Sequence, residues 1–397
     1  MTGNWFAQYS ALTGFNFKTI GQRRGSTLSA IVGIAGVVAV LVAVLSIAMG
    51  IATMARQSSS PRNVIVMRSG SDTEMTSGLT GDEAKIISEA PGLDTDGTGA
   101  LASPELFVVI NLPKRSTGTD ANVPLRGVVP AAFEIRDSLR IVEGRMFEWG
   151  LSEVVVGIGA ATEFAGLELG SKIEVGQDQW TIVGLFEADG GIAESEIWAD
   201  AAVLQSAYRR ENNFQSVYAK LKSNESFQDF KDALTTDPRL NVKVQTESDY
   251  YSSQTTQMYR LITGLGSLVA TLMGLGALFG ALNTMYTAIS SRTREIATLR
   301  ALGYRSGIVI AAVLTESLVI ALLGGAIGGG LAYLAFDGLR TSTLNFSSFS
   351  QITFAFDVTP GLLTNGIVYA LLIGLIGGLF PAIRAARLPI ATALREQ

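Results

Sequence analysis

The chain contains no cysteine and no histidine. The first absence excludes a disulfide framework and thiol chemistry. The second removes the commonest general base, the usual metal ligand and the Ser-His triad together. Carboxylates can still run hydrolytic chemistry, so an enzymatic reading is weakened rather than removed. Charge is scarce as well. Asp, Glu, Lys and Arg make up 16% of the 397 residues, and a formal net charge of −5 offers no basic surface for nucleic acid. No Walker A sequence occurs, so ATP binding by that route is not expected of these residues.

What is abundant is apolar. Hydrophobic residues reach 48% and the mean hydropathy is +0.33. A bilayer core of roughly 30 Å needs about 20 apolar residues in helical form, because lipid tolerates no unpaired backbone groups. Four stretches meet that length: 28–54, 258–289, 308–336 and 362–383. The first carries no formal charge, the second is broken only by Arg260, and the third contains Glu316. An uncleaved anchor is expected at 28–54, since the run exceeds the 7–15 residues of a signal-peptide core. Small residues such as Gly264, Gly266, Gly274, Gly276 and Gly280 predict close helix packing.

Basic residues set the expected orientation. Lys18, Arg23 and Arg24 precede the first span. Arg292, Arg294, Arg300 and Arg305 lie between the second and third, and Arg384, Arg387 and Arg395 follow the fourth. Only Arg340 lies between the third and fourth. The expected layout is therefore a cytoplasmic segment 1–27, a large extracytoplasmic segment 55–257, a cytoplasmic connection 290–307, a short extracytoplasmic loop 337–361 and a cytoplasmic tail 384–397. The fold class is an α-helical membrane protein with four transmembrane helices and an α+β, two-lobed extracytoplasmic domain inserted between helices 1 and 2.

In that domain strands are expected at 63–68, 106–112, 153–156, 172–175, 180–186, 216–221 and 241–245, with helices at 81–90, 200–210 and 226–235. Two β-α sections, 62–118 and 208–252, would flank a β-rich insertion at 119–207. The run from Gly166 to Lys172 has the wrong order for a phosphate loop and reads as a turn. Glu187, Asp189, Glu194 and Glu196 match no ligand spacing and read as a solvated loop. Trp180 and Trp198 read as packed. No catalytic or metal-binding set is assigned.

The segment Ser291–Tyr304 reads as a short amphipathic helix with Ile296, Leu299 and Leu302 on one side, stopped by Gly303. Such a helix can lie in the membrane interface or dock into a partner. Glu316, an ionisable group inside a span, is either a functional site or a structural partner for Arg or Thr.

The run Arg292-Thr-Arg-Glu-Ile-Ala-Thr-Leu-Arg-Ala-Leu-Gly303, then Leu314-Thr-Glu316-Ser, Gly324-Gly325 and the ending Gly378-Leu-Phe-Pro381-Ala-Ile-Arg384-Ala-Ala-Arg387, resembles the FtsX-like permease module. The upstream half, with Glu153-Val-Val-Val-Gly157 and Trp180-Thr-Ile-Val-Gly184, resembles the extracytoplasmic core domain of MacB-type transporters. The resemblance implies a permease subunit in a bacterial cytoplasmic (inner) membrane, both termini cytoplasmic, coupled to a separate ABC ATPase dimer that holds ATP and Mg. Arg292, Arg294, Glu295, Ile296, Leu299, Arg300, Leu302 and Gly303 would form its coupling helix, with Glu295 and Arg300 as polar contacts and Ile296 and Leu299 as apolar anchor. The tail bearing Arg384 and Arg387 would share that surface. A second permease copy or a homologous permease is implied, and a periplasmic adaptor or outer-membrane protein is a further candidate partner. The expected activity is export or extraction of an amphiphile, peptide, antibiotic or lipoprotein. The alternatives are a signalling subunit that activates a cell-wall hydrolase, and a membrane-anchored sensor or enzyme.

Overall fold

The computed structural model describes residues 5–20, 24–97, 99–345, 350–387 and 389. In chain order, α1 (Trp5–Ile20) and α2 (Arg24–Gln57) lead into β1 (Asn63–Arg68), β2 (Leu79–Thr80), α3 (Gly81–Ser88), β3 (Ala102–Pro113) and β4 (Asp120–Val128). Next come α4 (Ala131–Ile135), β5 (Arg140–Gly144), β6 (Glu153–Gly157), α5 (Ile158–Glu163), β7 (Lys172–Val175), β8 (Asp178–Glu187), β9 (Ile197–Asp200) and α6 (Ala201–Ala207). The remainder is β10 (Asn213–Phe214), β11 (Ser216–Lys220), α7 (Ser226–Thr236), β12 (Val242–Thr246), α8 (Glu247–Ser290), α9 (Thr293–Ala301), α10 (Ser306–Phe336), β13 (Arg340–Asn345), β14 (Ser350–Ala355) and α11 (Pro360–Arg387). The chain divides into a helical unit (1–49, 260–339, 357–397) and an α/β unit (50–259, 340–356).

In the helical unit, α2, α8, α10 and α11 are long and apolar enough to cross a membrane. Each contains one of the four apolar stretches. Their packing rests on small residues, which let helix backbones approach where lipid supplies no hydrophobic drive. A side chain at Gly328 would collide with Ala35 of α2, and one at Gly374 with Ala321 of α10. Of the five expected glycines in α8, Gly266 and Gly274 make such contacts, with Val44 and Tyr369. Polar groups add interhelical hydrogen bonds: Ser317 Oγ donates to Gly374 O at 2.6 Å, and Tyr369 OH to Ala270 O at 2.9 Å.

The α/β unit is built on a ten-stranded sheet in the order β12-β1-β11-β3-β4-β9-β6-β8-β5, with β7 added on β8. The strands β1, β6, β9 and β11 are buried along nearly their whole length, whereas β7 and β8 alternate buried and less buried positions. One half packs Val64, Val66, Val217 and Val244 against Ile87, Phe230 and Leu234 of α3 and α7. The other packs Leu106, Val108, Leu125, Val154 and Ile197 around Trp180 and Leu204. Thr80 opens α3 with a capping box closed by Glu83.

The two halves meet inside β3, where Ala102–Glu105 pair with β11 and Leu106–Pro113 pair with β4. The expected boundary at residue 119 is corrected accordingly. A strand that changes partner midway leaves no loop or composition shift to mark the change. Strands β4, β5 and β9 were not expected. Arg126, on β4, is buried at the centre of the sheet.

Residues 337–361, expected as a loop, hold the β13–β14 hairpin, which belongs to the α/β unit. Ile352 and Phe354 are buried, and Thr353 N donates to Ser195 Oγ at 2.9 Å. Ser342 Oγ donates to Glu163, which also pairs with Lys114 at 2.9 Å. Arg23 and Arg395 lie outside the described residues, as does the side chain of Lys18.

Candidate functional site

The segment 291–304 forms α9, entered from α8 through Ser291 and Arg292. At its far end Gly303 adopts φ +100°, which a side chain would disfavour. Tyr304 N donates to Leu299 O at 3.1 Å across that glycine, closing the helix end. The expected stop is thus where the backbone turns left-handed.

Burial divides the segment. Ile296 and Ala297 are buried against Leu12, Met285, Ile308 and Val309. Leu299 is half-buried in the same cluster. Arg294, Glu295 and Thr298 are exposed, and Leu302 is 74% exposed. The geometry therefore places Ile296 inward as the residue that holds α9 to its own bundle. The large apolar residue that stays exposed is Leu302.

Arg292 joins three elements. Its Nη1 donates to Asn16 Oδ1 of α1 at 3.1 Å and lies 3.8 Å from Glu316 Oε2 of α10. Glu316 is 4% exposed and has Arg292 as an ion-pair partner. Tyr9 OH and Thr315 Oγ1 form a hydrogen bond at 2.7 Å between α1 and α10. A cavity of about 30 Å³ remains among Leu12, Asn16, Ile289, Arg292 and Glu316. Arg384 sits over the Tyr286 ring at 5.6 Å, and both Arg384 and Arg387 are exposed.

Sequence reasoning did not find α1. Its inward positions Tyr9, Leu12 and Asn16 recur at helical spacing, while Trp5, Phe6 and Phe15 stay exposed. That spacing was the available signal, in a stretch too short to register as a span.

A second feature lies on α8. Leu261, Leu265, Leu268, Leu272, Leu275 and Phe279 are all exposed and follow a four-three alternation, the period of a coiled-coil seam. Gly266, Ala270 and Gly274 face inward.

Within the α/β unit, the acidic group expected as a solvated loop is divided: Asp189 is exposed and Glu187 half-buried, but Glu194 and Glu196 are buried. Glu194 accepts from the N–H groups of Ala188 and Gly190, closing its own turn. Glu196 belongs to a buried ion cluster. Arg126 donates to Glu196, Glu74 and Glu105 at 2.7–3.0 Å, so every N–H of the guanidinium is placed toward a carboxylate. Arg136 adds two bonds to Glu105 at 2.7 and 3.0 Å. Burial raises the Glu74 carboxyl, but the Arg126 charge outweighs it and holds Glu74 below the ordinary carboxylate range. This cluster stands where the two sheet halves meet. Among the described residues no group of His, Cys, Asp or Glu is arranged to hold a metal. Trp180 and Trp198 are fully buried, and the glycines of the 166–172 turn take positive φ.

Comparison with known proteins fits both units. The family model for the MacB-like periplasmic core domain matches residues 27–237, and that for the FtsX-like permease C-terminal region matches residues 267–390. The macrolide export ATP-binding/permease protein MacB of Neisseria meningitidis is 25% identical over 343 residues, covering 80% of this chain and 49% of the relative. The uncharacterized ABC transporter permease YknZ of Bacillus subtilis is 26% identical over 302 residues, covering 70% of this chain and 71% of the relative. The periplasmic region of MacB from Actinobacillus actinomycetemcomitans, a crystal structure, aligns with 50% of this chain and 94% of its own at 12% identity and a TM-score of 0.37. The chain spans about half the length of the MacB relatives it matches. Four apolar helices, an α/β unit between the first and second, and two family models covering both parts lead to one statement: the chain belongs to the MacB/FtsX-like family of ABC transporter permeases.

Proposed function

We propose that the chain is the permease subunit of a transporter whose ATPase is a separate cytoplasmic protein docking on α9. The observation that carries this reading is the division of α9 itself. Ile296 and Ala297 bind it to the bundle, and Arg294, Glu295, Thr298 and Leu302 stand free of it. A polar face with one large apolar residue suits a partner's groove better than a lipid surface, which would favour several apolar residues together. ATP and Mg belong to the ATPase, and both chain termini lie on its side of the inner membrane.

The Arg292 contacts with α1 and α10 make α9 move with the bundle when the ATPase pair closes. The helices α2 and α8, which enter and leave the α/β unit, carry the movement to the extracytoplasmic side. The exposed heptad stripe of α8 supports a second permease chain as neighbour. The cargo is an amphiphile, peptide, antibiotic or lipoprotein taken from the outer leaflet, in keeping with the macrolide export named for the MacB relatives. A periplasmic adaptor or outer-membrane protein completes the path.

The test is copurification with the ATPase from native membranes and coupled ATP hydrolysis in liposomes. Glu295→Lys combined with Leu302→Asp changes only exposed side chains. It should abolish ATPase retention while the thermal midpoint of the permease stays within about 2 °C of the parent. Unchanged retention and hydrolysis in that double variant would overturn the assignment of α9.

A further inference from the structure

A polar cavity of about 120 Å³ lies in the α/β unit, bordered by Gln57 at the end of α2 and Glu247 at the start of α8. Ser60, Asn63, Ser138 and Trp198 also line it, and it has room for several water-sized groups. Glu247 is 1% exposed and Asn63 3% exposed. Glu247 Oε2 accepts from Asn63 Nδ2 at 3.0 Å and from Ser60 N at 3.4 Å. Asn63 Nδ2 also reaches Ile135 O at 3.1 Å. Two buried oxygens are left without a donor, Glu247 Oε1 and Asn63 Oδ1.

Every nearby cation is already engaged. Arg136 spends both terminal nitrogens on Glu105, and Arg126 is divided among Glu74, Glu105 and Glu196. Lys220 gives its ammonium to Glu134 O at 3.0 Å and to Asp137 at 3.4 Å. Four buried carboxylates (Glu74, Glu105, Glu196, Glu247) thus face two guanidinium groups, and Glu247 forms no ion pair among the described residues. A buried carboxylate without a cation is costly, and so is an acceptor without a donor. Burial pushes the Glu247 carboxyl up, so keeping it charged here calls for a small cation that can donate at least two hydrogen bonds.

We propose that this cavity binds a primary ammonium group, which donates to Glu247 Oε1 and Asn63 Oδ1 and neutralises the Glu247 charge. A quaternary ammonium has the charge but no N–H to give, and a neutral amide has the donors but no charge. Because the cavity is bordered by the end of one connecting helix and the start of the other, an occupant ties Glu247 to the segment that follows α2. The inference is independent of how α9 engages its partner.

The experiment uses the full chain in detergent micelles, with intrinsic fluorescence (Trp198 borders the cavity) and thermal unfolding as readouts. Methylammonium chloride is titrated at constant ionic strength against tetramethylammonium chloride and sodium chloride. The expected result is a saturable fluorescence change and an upward midpoint shift of about 3 °C with methylammonium alone. Glu247→Gln should lose both responses while remaining folded, since its amide donates an N–H without needing a counter-cation. Ser138→Phe, which fills the cavity without touching a buried charge, should lose them too. No saturable response to methylammonium, an equal response to tetramethylammonium or sodium, or a full response in Ser138→Phe would each overturn the proposal. If Glu247→Gln does not fold, Ser138→Phe decides the matter.

Discussion

Arg292 and Glu316 are at once the most legible and the most altered part of the sequence reading. Glu316 stood out as a charge placed where charge is expensive and Arg292 as a basic residue of the amphipathic segment, but only the fold shows that they face each other, with Asn16 as third partner. Removing one member of a buried pair costs more than the pair contributes, because the survivor stays buried. Glu316→Ala should therefore destabilise the helical unit by about 3 kcal/mol, measured as a lowered unfolding midpoint in detergent. Arg126 and Glu74 make the same argument in the α/β unit, where a pH test is available. The folded Glu74 carboxyl lies below its unfolded value. Its stabilisation is complete above the ordinary carboxylate range and is lost as pH falls toward the depressed folded value. Glu74→Gln should be less stable than the parent at neutral pH by about 3 kcal/mol and should lose less on acidification from pH 7 to 3, followed by thermal unfolding at each pH.

At the level of elements, long apolar runs were readable because length alone identifies a helix that must satisfy its backbone internally. Lys172–Val175 was readable by its strict alternation and Asn63–Arg68 by its short apolar, β-branched run. What escaped was whatever depends on a distant partner. The strand Asp120–Val128 carries an arginine whose burial makes sense only with three glutamates brought to it from 52, 21 and 70 residues away. Likewise Ile296 looked available to a partner until α1 and α10 were seen to cover it. The heptad stripe on α8 yields a test at this scale, aided by the natural absence of cysteine. Leu272→Cys should give an oxidised dimer in membranes. Ala281→Cys, whose side chain is buried against Gly377, should not. Equal monomer in both would remove α8 as the contact between permease chains.

At the scale of the molecule, the order of apolar and polar stretches gave the division into a bundle and an inserted domain, but not its full extent. The hairpin 340–355 is more than 80 residues beyond Tyr259 and still belongs to the α/β unit, because Ile352, Phe354 and Thr353 find their partners there. A fragment of residues 58–257 should accordingly unfold several degrees below one carrying the hairpin on a flexible linker, by calorimetry. The partner exchange within β3 has its own consequence. The peptide bond between Glu105 and Leu106 is read by two cores simultaneously. One residue inserted there would turn Leu106, Val108 and Ile110 toward the Arg126 charges and present Phe107 and Val109 to the apolar side. A sheet joined this way has no crease along which its halves can fold, so a pull on either one is felt as a tilt of the whole board.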